Sequence, residues 1–597
     1  MVSYCFVKQV EDRFYMKFLI AVLFLILFCN ILFSAEFMEV SELKPGMKGY
    51  GLTVFGGWEP EQFNAEIIDV MKNVSPRGDI ILARLSGPIV EKSGVVAGMS
   101  GSPVYIDNKL IGAVAYTWAF SREPICGITP IRQMLREKDN SITPGVKNFS
   151  KDDERLKKIS TPLFINGFVK EAEEYIKAQF GSEKSPLSKE SFIVMGSSGR
   201  VSGKESPVYG TLKAGDSVAV NLVEGDYHIE GIGTVTYVSN KDIYIFGHPM
   251  DLAGNNKLPI SRSYVYTVIP SSYFSFKVGA SSETIGATLY DGQDGVYCRL
   301  GEQADMVPVS VTVRNYKESF SYNFRVVNNR YYFPTLTAGA LSSSFLRHTG
   351  YLDDKRIRLN CKIDFEHKGQ KYSVSNAFLY AYNPSYFNVY GMLSDMNLYL
   401  SVFFENNMGD IKINSVKSDI QIEQGIKYYI VDNFTADKNN YRPGETVQCK
   451  VLLKQYGGNY VQKRMKLSLP SEAKSGQYLI IAGNENSFYS EIFRLFPRYY
   501  TVNNIEDLVK MASFSIKMDK LVVGLIYARP GLMVRDKKME RFPENYLSIF
   551  DYNKPWDKAN VLLFPEWVKG SEEMDGAIFG IMKTSINIID ESSGTSE

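Results

Sequence analysis

Two short stretches hold residues whose type and spacing suit acyl-transfer chemistry. The first is "GMSGSP", Gly98 to Pro103, followed at once by the strand-turn-strand pattern "VYIDNKLIGAVAY". A nucleophilic serine needs an exposed Oγ, an adjacent base, and backbone N–H donors aimed at the developing oxyanion. Glycines on either side of Ser100 let the main chain turn tightly, so that the amides of Gly98 and Ser100 point into one small space. Glycine-serine turns are also common as plain structural turns, so the base decides between the two readings.

Only four histidines can serve. His228 in "GDYHIE" and His367 in "FEHKGQ" lie in alternating strand patterns, where an exposed ring is expected. His348 in "FLRHTG" falls at a helix end beside Arg347, where a cation complements the helix dipole. His248 differs. It ends "GIGTVTYVSNKDIYIFGHPM", a hairpin whose second strand runs into Gly-His-Pro, and a rigid strand next to glycine can present a ring to a cleft. The sequence has no H-E-x-x-H and no Cys/His cluster, so no metal site is expected. It also has no glycine-rich run joining a strand to a helix, so neither a nucleotide nor any other cofactor is expected.

The elements that must position these residues are mostly strands. The chain has 597 residues, too many for one core, with 45% hydrophobic and 13% aromatic residues, and Tyr and Phe recur in short alternating runs. A net charge of +1 without a basic cluster argues against nucleic acid as a partner. Residues 1–35 read as a secretory signal peptide with an upstream extension: Met16 begins "MKFLIAVLFLILFCNILFSAEF", and small residues succeed the apolar run at Ser34-Ala35. The segment implies export to the periplasm, the envelope or the outside, with a retained anchor as the lesser alternative. Beyond the signal, Cys126, Cys298, Cys361 and Cys449 are widely spaced and read equally as one or two disulfides or as buried thiols.

Residues 40–140 and 191–330 read as two β-rich blocks. Between them, 141–190 reads as a polar linker with a helix at "GFVKEAEEYIKAQFG", where Val169, Ala172, Tyr175 and Ile176 share one face. Residues 331–490 read as β-sandwich-like and 491–597 as a mixed α/β region, with a helix at "NIEDLVKMASF" and an apolar strand at "LVVGLIYARPG".

"GVVAGMSGSPVYIDNKLIGAVAY" resembles the serine segment of the SpoIVB family of serine peptidases, and "GIGTVTYVSNKDIYIFGHPM" resembles its histidine segment. The flanks "LKPGMKGYGLTVFGG", "ICGITPIRQML" and "GVYCRLGEQADMVPVSV" agree. The resemblance covers roughly 42–140 and 190–320. It implies a trypsin-like double β-barrel with Ser100 as nucleophile, His248 as general base, and the Gly98 and Ser100 amides as oxyanion hole. Two departures stand out. In the family the histidine segment comes first, whereas here the serine does, an order like that of a circular permutation. The family aspartate falls where this chain has Leu85-Ser86-Gly87, leaving Asp79, Asp242, Asp251 and Asp291 as candidate acids. No peptide-binding PDZ module is evident. The expected activity is an exported serine endopeptidase acting on protein or peptide substrates, with the C-terminal β domains contacting substrate or an envelope partner. The rival reading is a degenerate peptidase scaffold that binds peptides or envelope components.

Overall fold

The computed structural model describes residues 37–589 except 76–77, 119–120, 143–156, 181–191, 197–211, 273, 317, 350–354, 383–388, 407, 410, 426, 497–501, 503, 514–515, 535–536, 541 and 548–558. The signal-peptide segment lies outside these residues.

Six antiparallel strands close on themselves in the serine-bearing region: β1 (Lys48–Thr53), β2 (Glu61–Ser75), β3 (Gly78–Ser86), β4 (Pro103–Ile106), β5 (Lys109–Thr117) and β6 (Ile125–Pro130). They pair in the order β4-β1-β2-β3-β6-β5, and β5 returns to β4. The β4–β5 hairpin turns through Asp107 and Asn108, both at positive φ, as a two-residue turn of primed type requires. Phe63, Ile67, Ile81, Val104 and Ile128 fill the barrel.

A two-residue strand, β7 (Lys157–Lys158), adds to the edge of β5, and β8 (Thr161–Asn166) crosses to the second barrel, with β9 (Phe192–Gly196) parallel beside it. That barrel comprises β10 (Ser217–Gly225), β11 (His228–Ser239), β12 (Asp242–Ile245), β14 (Pro259–Ile269), β15 (Phe276–Gly292) and β16 (Gly295–Leu300), with the short β13 (Gly254–Asn255) against β15. The ring runs β10-β14-β15-β16-β12-β11 and closes through β10–β11. The protein therefore carries a trypsin-like pair of six-stranded β-barrels.

Strands at the junction of the barrels are buried on both faces: β5, β10 and the first nine residues of β11 show almost no exposed position, polar residues included. This burial also corrects the expectation for His228. Its ring is buried, with Nε2 3.0 Å from Ser281 Oγ.

The second barrel opens into a longer sheet. β17 (Met306–Asn315) and β18 (Glu318–Val327) form a hairpin whose second strand pairs with β10. β21 (Ile411–Gln424) lies parallel to β17, and beyond it come β19 (Lys355–His367) and β20 (Gln370–Tyr382). Helices Lys170–Phe180, Phe333–Leu346 and Val389–Ser401 pack over one another against this extension. The middle helix is wholly buried up to Phe345, its threonines and serines included. Helix Lys170–Phe180 buries Ala172, Tyr175, Ile176 and Phe180.

The sandwich lies further along the chain than 331–490. A four-stranded sheet built on Lys427–Ala436, Thr446–Gln455 and Tyr460–Ser468 faces a six-stranded one built on Gly476–Asn484, Lys520–Val534, Ala559–Glu573 and Ile581–Ile588. Val431, Val451 and Leu467 meet Ile480, Val523 and Ile586 between them. The helix read at "NIEDLVKMASF" spans Ile505–Ala512, and the apolar strand Lys520–Val534. The four cysteines are buried free thiols. Burial pushes the pKa values of Cys361 and Cys449 up to about 12.

Candidate active site

The turn that carries Ser100 is stitched to the other barrel. Within the turn, the Met99 amide donates to the Val96 carbonyl and the Ser102 amide to the Met99 carbonyl, both at 2.9 Å. The Gly101 amide donates to Val114 of β5 at 2.8 Å. Across the interface, the Thr234 amide donates to the Ser100 carbonyl (2.9 Å), Thr234 Oγ1 to the Gly98 carbonyl (2.8 Å) and Thr236 Oγ1 to the Gly101 carbonyl (2.7 Å). Gly98 and Gly101 adopt φ of +95° and +93°, a region that favours glycine. A Cβ on Gly101 would stand 2.0 Å from the Thr234 carbonyl oxygen and 2.6 Å from the Phe246 nitrogen. Among the described residues, the Gly98 and Ser100 amides donate to no backbone carbonyl, whereas those of Met99, Gly101 and Ser102 do. Two alternate amides left open on one turn are what an oxyanion would use.

The histidine arrives from the second barrel. Strand β12 ends at Ile245, and Phe246 and Gly247 both take positive φ, reversing the chain toward β5. Thr129 Oγ1 anchors this bend by donating to the Gly247 carbonyl at 2.5 Å. A Cβ on Gly247 would meet that of Ala113 at 2.9 Å. His248 is buried, and its Nδ1 lies 2.7 Å from the Pro249 carbonyl oxygen. A carbonyl only accepts, so Nδ1 carries the proton and Nε2 is left as the basic nitrogen. Burial lowers the His248 pKa to about 4, against the pull of the Pro249 carbonyl toward the charged form; Lys158 adds to the lowering, and the nearby Ile159 carbonyl opposes it.

Ser100 Oγ, Ser102 Oγ and His248 Nε2 are all buried at this junction without a hydrogen-bond partner. Buried polar atoms are rarely left so. Ser100 is fully buried, so its Oγ is not exposed as the sequence reading expects of a nucleophile. Ser100 and His248 do not hydrogen-bond each other in this structure, and such bonds are often long before substrate tightens them.

No aspartate among the described residues reaches the ring. Asp291, buried, accepts from the amides of Met250 and Asp251 at 2.8 Å and of Ala253 at 3.2 Å, so it shapes the loop after His248. Burial and the neighbouring Asp251 hold its carboxyl well above the usual range. Asp251 in turn accepts from the Tyr332 hydroxyl. Asp242 is engaged by Lys138 (2.6 Å), Tyr297 (2.8 Å) and Arg299 (3.3 Å). Asp79 accepts the Asn73 amide at 2.9 Å at the start of β3.

Sequence reading missed Lys277. Its fully buried ammonium donates to Thr53 Oγ1 (2.7 Å) and Thr234 Oγ1 (3.3 Å), and its aliphatic stem lies within 3.0 to 3.3 Å of where a Gly98 Cβ would stand. The Lys277 amide donates to the Ala97 carbonyl at 3.0 Å. Burial lowers its pKa to about 7, and among the described residues no carboxylate offsets that lowering. It props the Ser100 turn from the second barrel. "FKVGA" reads as an ordinary strand, so only its inward direction could have flagged it.

No curated protein and no solved structure matches the chain. Residues 36–135, the barrel that carries Ser100, match the model of the SpoIVB peptidase S55 family, the family its serine segment resembles.

Proposed function

We propose that the protein is an exported serine endopeptidase in which Ser100 attacks the peptide carbonyl and His248 takes and returns the proton. The observation that supports this reading is that the barrel junction carries an unpartnered serine Oγ, an unpartnered imidazole Nε2 and two open turn amides. The family match of residues 36–135 supports the same chemistry, and export rests on the signal-like N-terminus and the family.

In this reading the Pro249 carbonyl takes over one task of the missing carboxylate. It holds the ring in the tautomer that leaves Nε2 free, but it carries no full charge to stabilise the imidazolium. The enzyme is therefore expected to be slow beside one with a complete triad.

A fluorophosphonate probe tests the assignment. Wild-type protein is expected to be labelled at Ser100, and Ser100→Ala to stay unlabelled. Equal labelling of both, or of neither, sinks the proposal.

A further inference from the structure

Residues 157–166 link the two barrels beside the Ser100 turn. β7 pairs antiparallel with the far end of β5, Tyr116 opposite Lys158 and Thr117 opposite Lys157. The Ile159 amide donates to the Ala115 carbonyl at 2.9 Å. Two residues on, β8 begins at Thr161 and pairs antiparallel with β11, from Leu163 opposite Gly231 to Asn166 opposite His228. β5 is the strand whose Val114 holds the Ser100 turn, and β11 is the strand whose Thr234 holds the Ser100 carbonyl. The chain at Ile159–Ser160 thus passes from the strand that holds the Ser100 turn to the strand that holds the Ser100 carbonyl. The Ile159 side chain is buried in the core that includes Met99 and Val114, and its carbonyl lies near the His248 ring.

An extended backbone added to a strand edge, with one apolar side chain in a pocket, is how a peptide is read by β-augmentation. Resting on the serine-peptidase reading, we propose that Lys157–Ser160, paired to the β5 edge at Ala115–Thr117, is a built-in substrate mimic that takes the place of the residues preceding the scissile bond. The pocket that holds Ile159 then selects an aliphatic residue immediately before the cut. The Gly98 and Ser100 amides do not bind the Ile159 carbonyl, so the mimic lies along the β5 edge without being seated for attack.

The test measures fluorophosphonate labelling rates on the full chain. Ile159→Pro removes the amide that bonds Ala115 and keeps an apolar side chain, whereas Ile159→Asp places a charge in the pocket. Both are expected to label at least tenfold faster than wild type, with Ile159→Val within twofold. Wild type labelling as fast as both, with Ser100→Ala silent, overturns the mimic and leaves the nucleophile standing. No labelling in any variant overturns the nucleophile itself. Peptide-library cleavage by the wild-type chain needs no altered fold. Cuts after Ile, Val or Leu, or a Ser100-dependent cut between Ile159 and Ser160, support the mimic. Cuts after charged residues overturn it.

Discussion

His248 works, in this proposal, through a proton placed by its neighbour's carbonyl and a basicity lowered by burial. Its neutral form is the active one, so lowering the pH removes activity only as the ring protonates, near its pKa of about 4. Labelling of Ser100 is expected to stay level from about pH 8 down to about pH 5 and to fall below that. A midpoint at about 6.5 to 7 would show a ring in ordinary solvent contact. His248→Ala is expected to slow labelling by roughly a thousandfold or more. Burial shifts Lys277 in the same direction, with a consequence for stability. Its folded pKa of about 7 lies below its unfolded value of 10.5, so the unfolded chain binds the extra proton between those limits. Stability therefore rises with pH across that window, by at most about 1.4 kcal/mol per unit. Urea midpoints at about pH 7 and about pH 9 read this slope, which Lys277→Met is expected to flatten.

At the scale of elements, the site depends on two bends that press one barrel against the other. Gly101 has backbone of the second barrel where a side chain would begin, and no flexible group there can give way. Gly101→Ala is expected to cost on the order of 3 kcal/mol or more and to abolish labelling. Gly98→Ala meets only the flexible stem of Lys277, so its cost is mainly the positive φ, about 1–2 kcal/mol. Thermal melts of the two variants give the order. If Gly98→Ala is the worse, the barrel contact is not where this close packing resides. On the second bend, Thr129→Val deletes the hydrogen bond to Gly247. It is expected to cost about 1 kcal/mol and to slow labelling more than it lowers the melting point, because it loosens His248.

Across the whole molecule, the second barrel is continuous with the sheet and helices C-terminal to it. β18 pairs with β10, and helix Phe333–Leu346 lies in the same core. Tyr332, just before that helix, bonds Asp251 in the loop beyond His248. A chain cut at residue 330 is therefore expected not to fold, and its inactivity would say nothing about a separate C-terminal role. A cut after Gln424 is the informative one, since the sandwich has its own core. It exposes the contacts of Leu508 and Ala512, so the melting point is expected to drop while Ser100 labelling survives. Loss of labelling in a folded 37–424 chain would tie the sandwich to the site. Retained binding of envelope partners by Ser100→Ala would instead favour the scaffold reading.

The sequence by itself determined local features. Glycine and proline punctuate both Ser100 and His248, so the turns that display them are written in a few adjacent residues, and alternating patterns marked the β-rich blocks around them. His228 was misjudged because alternation cannot tell a surface strand from one buried at a junction. Of the linker reading of "SITPGVKNFSKDDERLKKIS", 143–156 lie outside the described residues, and Lys157–Lys158 near its end is a strand paired to β5. The tertiary structure decided everything that joins distant parts of the chain. It set the closure of each barrel, the Pro249 carbonyl beside the His248 ring, Lys277 beneath the turn, and Gly576–Phe579 pairing back to Lys427–Ala436 to complete a sandwich the sequence placed too early. Local patterns report which face a residue prefers. Which surface that face meets is set by packing between segments far apart in the chain.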